Sequence, residues 1–272
     1  MQRTYLKLLN IQEASPSKAT LAHLIKRHQA VFPFENLSKI KTVLDGEPRL
    51  PTIEEWLAHA ATKPIGGTCY ILNMHIYDLL KTLGYHARLL RVGESHTGID
   101  VDGLDDQSSI HYVDVGAAAA FFDPIPLTNK TRDVQFADLR FHIAPQAGNH
   151  YLFTRFRKDV ETGPKWLFDK TDHANPTDYA NVIADSFKTD APFMKVLRYQ
   201  IWQPEQDRLV SLHNASVSTR SRDGRFETQS ATSFHELERL TQQAFGFSLP
   251  YLEEGVQWME QQQNNDFFKT TS

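Results

Sequence analysis

The apolar residues of this 272-residue chain change period near residue 84, and that change limits what the chain can become. Before it they recur at helical spacing. Leu21, Leu24, Ile25 and Val31 form one stripe behind Ser15-Pro16, a start signal that places proline in a first helical turn, and Phe32-Pro33 stops it. Thr52-Ile53-Glu54-Glu55 fits a capping box ahead of Trp56 and Leu57, with Pro64 closing that segment. A third helix carries Leu72, Ile76, Leu79, Leu80 and Leu83, and Gly84 follows as its cap. From Tyr85 onward, short runs with period-two alternation take over, at 85–92, 97–101, 111–115, 151–157 and 166–169. Residues 103–109 read as a polar turn between two of these strands. Beyond Asn181, strand-like runs at 194–202, 208–212 and 225–228 precede a helix with Ser233 as N-cap, Glu236 closing its box and Gly246 at its far end. The expected class is α+β in three parts: a helical part over 1–84, a β-rich part over 85–185 and a mixed α/β part over 186–272.

Composition narrows the function. Apolar residues make up 40% and charged residues 23%, an ordinary globular balance, while the net charge of −4 offers no broad attraction to nucleic acid or an anionic membrane. No window approaches 18 apolar residues, and no long apolar run follows the charges at the amino terminus, so a cytoplasmic protein is expected. The polar tail over 261–265 is expected to fray. Small-molecule chemistry is the better expectation.

The chain holds one cysteine, which rules out an internal disulfide. It lies in Gly66-Gly67-Thr68-Cys69-Tyr70-Ile71-Leu72-Asn73, where Thr68 is the natural N-cap and Cys69 the first helical residue. Unpaired backbone N–H groups and the positive end of the helix dipole favour thiolate there, and glycines at 66 and 67 let a substrate approach closely. A small buried hydrophobe is the other reading of a lone cysteine.

A nucleophilic cysteine needs a base, and the base an orienting group. Among twelve histidines, His96 and His111 are the plausible bases, and Asp114 is the carboxylate. Side chains alternate along a strand, so His111 points away from Asp114, whereas His96 can lie beside Asp114 across a paired strand. The preferred set is Cys69, His96 and Asp114, with His111 structural. The sequence has no cluster with metal-ligand spacing, no phosphate-cradling glycine fingerprint and no Gly-x-Ser-x-Gly.

These residues resemble the arylamine N-acetyltransferases over nearly the whole chain. Phe32-Pro33-Phe34-Glu35-Asn36-Leu37 is similar to that family's Pro-Phe-Glu-Asn-Leu signature, and Gly66-Gly67-Thr68-Cys69 with Asn73 to its nucleophile segment. His96-Thr97-Gly98-Ile99-Asp100-Val101 and Tyr112-Val113-Asp114-Val115-Gly116 are similar to its histidine and aspartate strands, and Phe245-Gly246-Phe247 sits where members have Phe-Gly-Ile. The resemblance implies a helical bundle, a central β-barrel and an α/β lid around a core shared with cysteine proteases and transglutaminases. It implies acetyl-coenzyme A as acyl donor, no metal, and a ping-pong transfer to an arylamine or hydrazine through an acyl-Cys69 intermediate. His96 would manage the protons, Asp114 would orient it, and backbone N–H groups near Cys69 would form part of an oxyanion hole worth roughly 3 to 4 kcal/mol. Phe34, Gly67, Thr68 and Phe121 would contact substrate. Three departures stand out: Ile65 where members have Arg, Ile71 where they have Glu, and Ala117 to Ala120 where they have Phe-Gly. They imply a Glu35 without its arginine and a reshaped pocket, hence an atypical acyl donor or amine. Two competing readings are a transglutaminase- or protease-like cysteine enzyme and a scaffold with a decayed site.

Overall fold

The computed structural model of the chain describes residues 1–104, 109–264 and 266–269. Most of the polar turn expected at 103–109 and the end of the polar tail lie outside them. In chain order the elements begin with α1 (Gln2–Leu8), α2 (Lys18–Val31), β1 (Phe34–Glu35), α3 (Leu37–Leu44), α4 (Ile53–Ala60) and α5 (Cys69–Thr82). Strands follow: β2 (His86–Val92), β3 (His96–Asp102), β4 (His111–Val113), β5 (Ile125–Pro126), β6 (Arg132–Phe136) and β7 (Leu139–Pro145). Then come β8 (His150–Arg157), β9 (Val160–Glu161), β10 (Trp166–Asp169) and β11 (His173–Ala174). The remainder is α6 (Ala180–Asp185), β12 (Arg198–Gln203), β13 (Arg208–His213), β14 (Ser216–Ser221), β15 (Phe226–Ser230), α7 (Phe234–Phe245) and α8 (Leu252–Gln263).

The chain forms two compact units, one of Met1–Val31 with Cys69–Tyr179, the other of Phe32–Thr68 with the chain from Ala180 on. In the first, α5 supplies the apolar stripe expected of it: Leu72, Ile76, Leu79 and Leu80 are all fully buried, about 1.5 to 3 kcal/mol for each such side chain. Beside it stand two antiparallel sheets, β11-β2-β3-β4-β5 and β10-β8-β7-β6 with β9 on β8. Neither closes on itself among the described residues, which corrects the expected barrel: the strands form two open sheets. The second sheet turns Phe136, Phe141, Ile143, Tyr151, Phe153 and Phe168 inward, all less than one-tenth exposed.

The second unit is built on the antiparallel sheet β1-β12-β13-β14-β15. Its core joins Leu37 and Ile40 of α3, Tyr199, Val210 and Leu212 of the sheet, and Leu237, Val256 and Met259 of α7 and α8. The α4 capping box forms as expected: Thr52 accepts from the Glu55 N–H, and Glu55 accepts from the Thr52 N–H at 2.8 Å. At α7 Ser233 caps, but Glu236 reaches one residue further back, to Thr232. Ser17, not Ser15, caps α2, accepting from the Thr20 N–H at 3.0 Å.

The Pro-Phe-Glu-Asn-Leu segment is the binding tie of this unit. Phe34 bridges to Gly67 in parallel, the Glu35 N–H donates to the Gly67 carbonyl at 3.0 Å, and the Gly67 N–H donates to the Pro33 carbonyl at 3.2 Å. The Asn36 side chain donates to the Phe193 and Val196 carbonyls at 2.5 Å each and accepts from the Arg198 N–H at 2.8 Å. Glycine at 66 is needed for packing: a Cβ there would lie 1.9 Å from the Pro33 carbonyl oxygen. Gly67 has φ +146°, which other residues rarely adopt. The glycine pair thus seats the chain against residues 33–35, a reason the sequence alone did not show.

Candidate active site

Helix α5 starts at Cys69, whose side chain is 7% exposed. Strands β3 and β4 pair antiparallel with Asp100 opposite Tyr112 and Val101 opposite His111. On that register His96, Gly98 and Asp100 share a face of β3, and Tyr112 and Asp114 lie on the same face across the ladder. The His96 Nε2 meets Asp114 Oδ2 at 2.7 Å, and both residues are buried. His111 is buried as well and takes a separate place, with Nδ1 3.2 Å from the Ser109 carbonyl.

Asp114 is held at both oxygens. Oδ2 accepts from His96 and from the Tyr112 hydroxyl at 2.7 Å; Oδ1 accepts from Asn73 Nδ2 and from the Gly116 N–H, each at 2.9 Å. Burial opposes its charge, but the His96 charge and these donors hold its carboxyl below the ordinary carboxylate range. Burial likewise works against a charged His96; the Asp114 charge and hydrogen bond, and then the Cys69 thiol, overrule it and raise the imidazole to about 9. Since Nε2 is committed to Asp114, Nδ1 is the nitrogen left for the thiol.

Three residues that sequence reasoning did not assign complete this frame. Asn73, one turn along α5 from Cys69, also donates to the Thr97 carbonyl at 2.6 Å and accepts from the Val115 N–H at 2.9 Å, so it ties α5 to β3 and to the segment just after β4. Its helical spacing from Cys69 was the available signal. Tyr112 sits two residues before Asp114, on the same face, and a Cβ at Gly98 would lie 2.5 Å from its ring. Gly116 abuts the first turn of α5, where a Cβ would come 2.6 Å from Cys69 Cα.

The four alanines lie against this frame. Ala117, Ala119 and Ala120 are buried, Ala118 has φ +50°, and Arg155 donates to the Ala117 carbonyl at 2.6 Å. Phe121 is 1% exposed and packs on Phe141 and Phe153 at 5.3 and 5.7 Å between ring centroids, so its ring belongs to the core of the first unit. Of the other residues singled out for substrate contact, Phe34, Gly67 and Thr68 belong to the second unit; all three are buried, and Phe34 packs edge-on against Phe193 at 5.4 Å.

A buried imidazole pinned by a fully hydrogen-bonded carboxylate, with a thiol at a helix start as its other neighbour, is an arrangement able to take up the proton of that thiol. The family model for N-acetyltransferases matches residues 18–253, and the chain belongs to the arylamine N-acetyltransferase family. An uncharacterized acetyltransferase of Bacillus subtilis (strain 168), YvcN, is 26% identical over 179 residues, 61% of this chain and 67% of that protein. The arylamine N-acetyltransferase of Nocardia farcinica superposes with a TM-score of 0.76 at 20% identity, over 98% of this chain and 95% of its own. That of Mycobacterium marinum in complex with CoA superposes at 0.73 and 18% identity, over 96% and 98%. At these identities the structural likeness speaks for the fold.

Proposed function

We propose that the protein transfers an acetyl group from acetyl-coenzyme A to the nitrogen of an arylamine or hydrazine, by a ping-pong route through a thioester on Cys69. The observation that carries this reading is the placement of His96 between Asp114 and the thiol. His96 Nδ1 takes the thiol proton; the sulfur attacks the acyl carbonyl; coenzyme A leaves as its thiol, taking a proton back. The amine then attacks the thioester, its proton passes to His96, and Cys69 is restored. Asp114 keeps the Nε2 proton in place and steadies the imidazolium. Coenzyme A bound to the Mycobacterium marinum relative supports the donor class. We assign the nucleophile to the segment 1–84, its base and orienting acid to 85–185 and a lid to 186–272, with Phe34, Gly67 and Thr68 near the acyl group and Phe121 shaping the alanine loop from behind. In the described residues no helix is long and apolar enough to cross a membrane, and cytoplasmic chemistry on small diffusible substrates is the setting we assign.

The test is intact mass after incubation with acetyl-coenzyme A and longer acyl donors. One acyl group on the wild type, absent from Cys69→Ala and discharged by added arylamine, is the expected result. No adduct from any donor would overturn the reading in favour of a protease-like enzyme or a scaffold.

A further inference from the structure

The hydrogen bond to Asp114 fixes one atom of the His96 ring but not the ring's plane, and Nδ1 swings as the plane rocks. A second contact addresses that freedom: the indole of Trp166 stacks on His96, with ring centroids 4.1 Å apart and planes 10° from parallel. Trp166 is itself half-buried, not a core tryptophan, and its place is prepared from several sides. It pairs directly with Phe153 across β10 and β8, and their rings stack at 5.0 Å and 18°. The Arg155 guanidinium, two residues along β8 on the same face, lies 4.7 Å from the indole centroid while donating to Ala117. Gly93, in the turn between β2 and β3, gives the indole its room: a Cβ there would lie 2.9 Å from Trp166 Cδ1. The Gly93 N–H donates to the Leu167 carbonyl at 3.1 Å, so this turn, which leads into His96, is tied to the strand that carries Trp166.

We propose that Trp166 is a positioning residue for the cysteine chemistry, holding the His96 ring in the plane that aims Nδ1 at Cys69 and offering its π-face to the imidazolium. The proposal rests on the reading of His96 as the base of Cys69. A stacked indole resists rocking of the ring through close contact over the whole face, and its negative face attracts a cationic partner more than a neutral one. Among the described residues the charged and titratable groups around His96 are Tyr112 on β4, Asp114 just after it, Cys69 on α5 and, beyond the indole, Arg155 on β8. Asp114 and Trp166 therefore divide the work, one fixing an atom and the other the plane.

The experiment compares Trp166→Phe with Trp166→Leu. The two replacements have nearly the same volume and only one has an aromatic face. The rate of Cys69 alkylation by iodoacetamide is measured from pH 5 to 10 for wild type, both variants and His96→Gln, with thermal unfolding in parallel. Phenylalanine should keep the wild-type profile and a rate within about twofold, while leucine should slow alkylation at pH 7 on the order of tenfold and move the profile toward that of His96→Gln. Equal profiles for wild type and Trp166→Leu, with His96→Gln slowed, would overturn the positioning role and leave the base intact. Phenylalanine and leucine slowing alkylation equally would overturn the part played by the π-face. An unchanged profile in His96→Gln would overturn the base assignment, and this inference with it.

Discussion

Gly116→Ala puts one methyl group at a close approach between the segment that follows β4 and the first turn of α5. The new Cβ would lie 2.6 Å from Cys69 Cα, 2.8 Å from Asn73 Nδ2 and 3.0 Å from the Cys69 carbonyl oxygen. An ordinary contact begins near 3.4 Å, so α5 and the loop after β4 must part by about 0.8 Å at Cys69 Cα. Two of the three atoms are backbone at the start of a helix, and the third already donates to Thr97 and Asp114, so none can turn aside alone. Gly116 has no left-handed φ, and the penalty is therefore one of space, not of backbone strain. Overpacking of this kind costs about 1 to 3 kcal/mol of stability. The chemical cost should be larger: a misplacement near 1 Å between nucleophile and base is worth about 100-fold. Chemical denaturation would read the first, and the rate of Cys69 alkylation or acylation the second. Gly246→Ala is the control, because nothing lies within 4 Å of its Cβ and its strain at φ +84° falls on the helix end where α7 stops. If Gly116→Ala keeps alkylation within threefold of wild type while folding normally, the close approach does not govern the geometry of the thiol.

The pH dependence of stability should show two separate slopes. His96, raised to about 9 by Asp114 against the opposing effect of burial, has a folded value above its unfolded 6.5; its contribution, on the order of 3 kcal/mol, is fully present below pH 6.5 and is lost as pH rises through 9. Resistance of the wild type to urea should therefore fall from pH 6.5 to 9, and His96→Gln should flatten that slope. On the acid side, burial and then the His75 charge lower His28 to about 3, and burial lowers His75 to about 4, so the unfolded chain binds protons the folded chain refuses. The contribution of these two histidines should be full above pH 6.5 and fall toward pH 4, so that stability drops on the acid side less steeply in a His28→Gln, His75→Gln double variant; equal slopes would show that other groups govern acid unfolding.

What the sequence disclosed was local. The α5 helix begins at Cys69 and spans the expected stripe, and the strand at Trp166–Asp169 falls where its alternation placed it. These elements carry their signal in neighbouring residues. Strands β6 and β14 lie outside the expected runs because Arg-Asp-Val-Gln-Phe at 132–136 and Ser-Val-Ser-Thr-Arg-Ser at 216–221 are largely polar and owe their form to ladder partners, whereas β7, with Leu139, Phe141 and Ile143 alternating with Arg140 and His142, carries a legible signal. Helices α1, α3 and α8 were missed for a related reason: each is short or polar and is held by the core it covers. The same division runs through the site. Strand alternation separates His96 from His111 because it is a property of adjacent residues, whereas the stack of Trp166 on His96 joins positions 70 residues apart and has no trace in either neighbourhood. Closure is not local either; the strands of a barrel and of two open sheets read alike along the chain.

The departures from the family pattern take on a different meaning once Glu35 is seen in place. The resemblance puts an arginine where Ile65 stands, and a carboxylate deprived of its cation in a buried site would be costly. Glu35 is 1% exposed, yet it is not left bare: Oε2 accepts from the Ser38 N–H at 2.9 Å, and Oε1 accepts from the Ser38 hydroxyl and from the Gly66 N–H at 3.3 Å. Burial still raises its pKa, with the Ser38, Gly66 and Leu37 donors working the other way. Ser38 and Leu37 belong to the first turn of α3, whose exposed N–H groups favour negative charge, and Gly66 adds a donor from outside that helix. A helix start and a serine thus supply neutral donors where a cation is expected, and Ile65, 5% exposed, fills its position with apolar contact. Exchange of a buried ion pair for hydrogen bonds and packing is often close to neutral in stability. The Gly66 N–H ties Glu35 to the glycine pair that seats against residues 33–35, all within the second unit. An isoleucine at 65 in place of the arginine therefore leaves no bare buried charge at Glu35, because neutral donors hold the carboxylate.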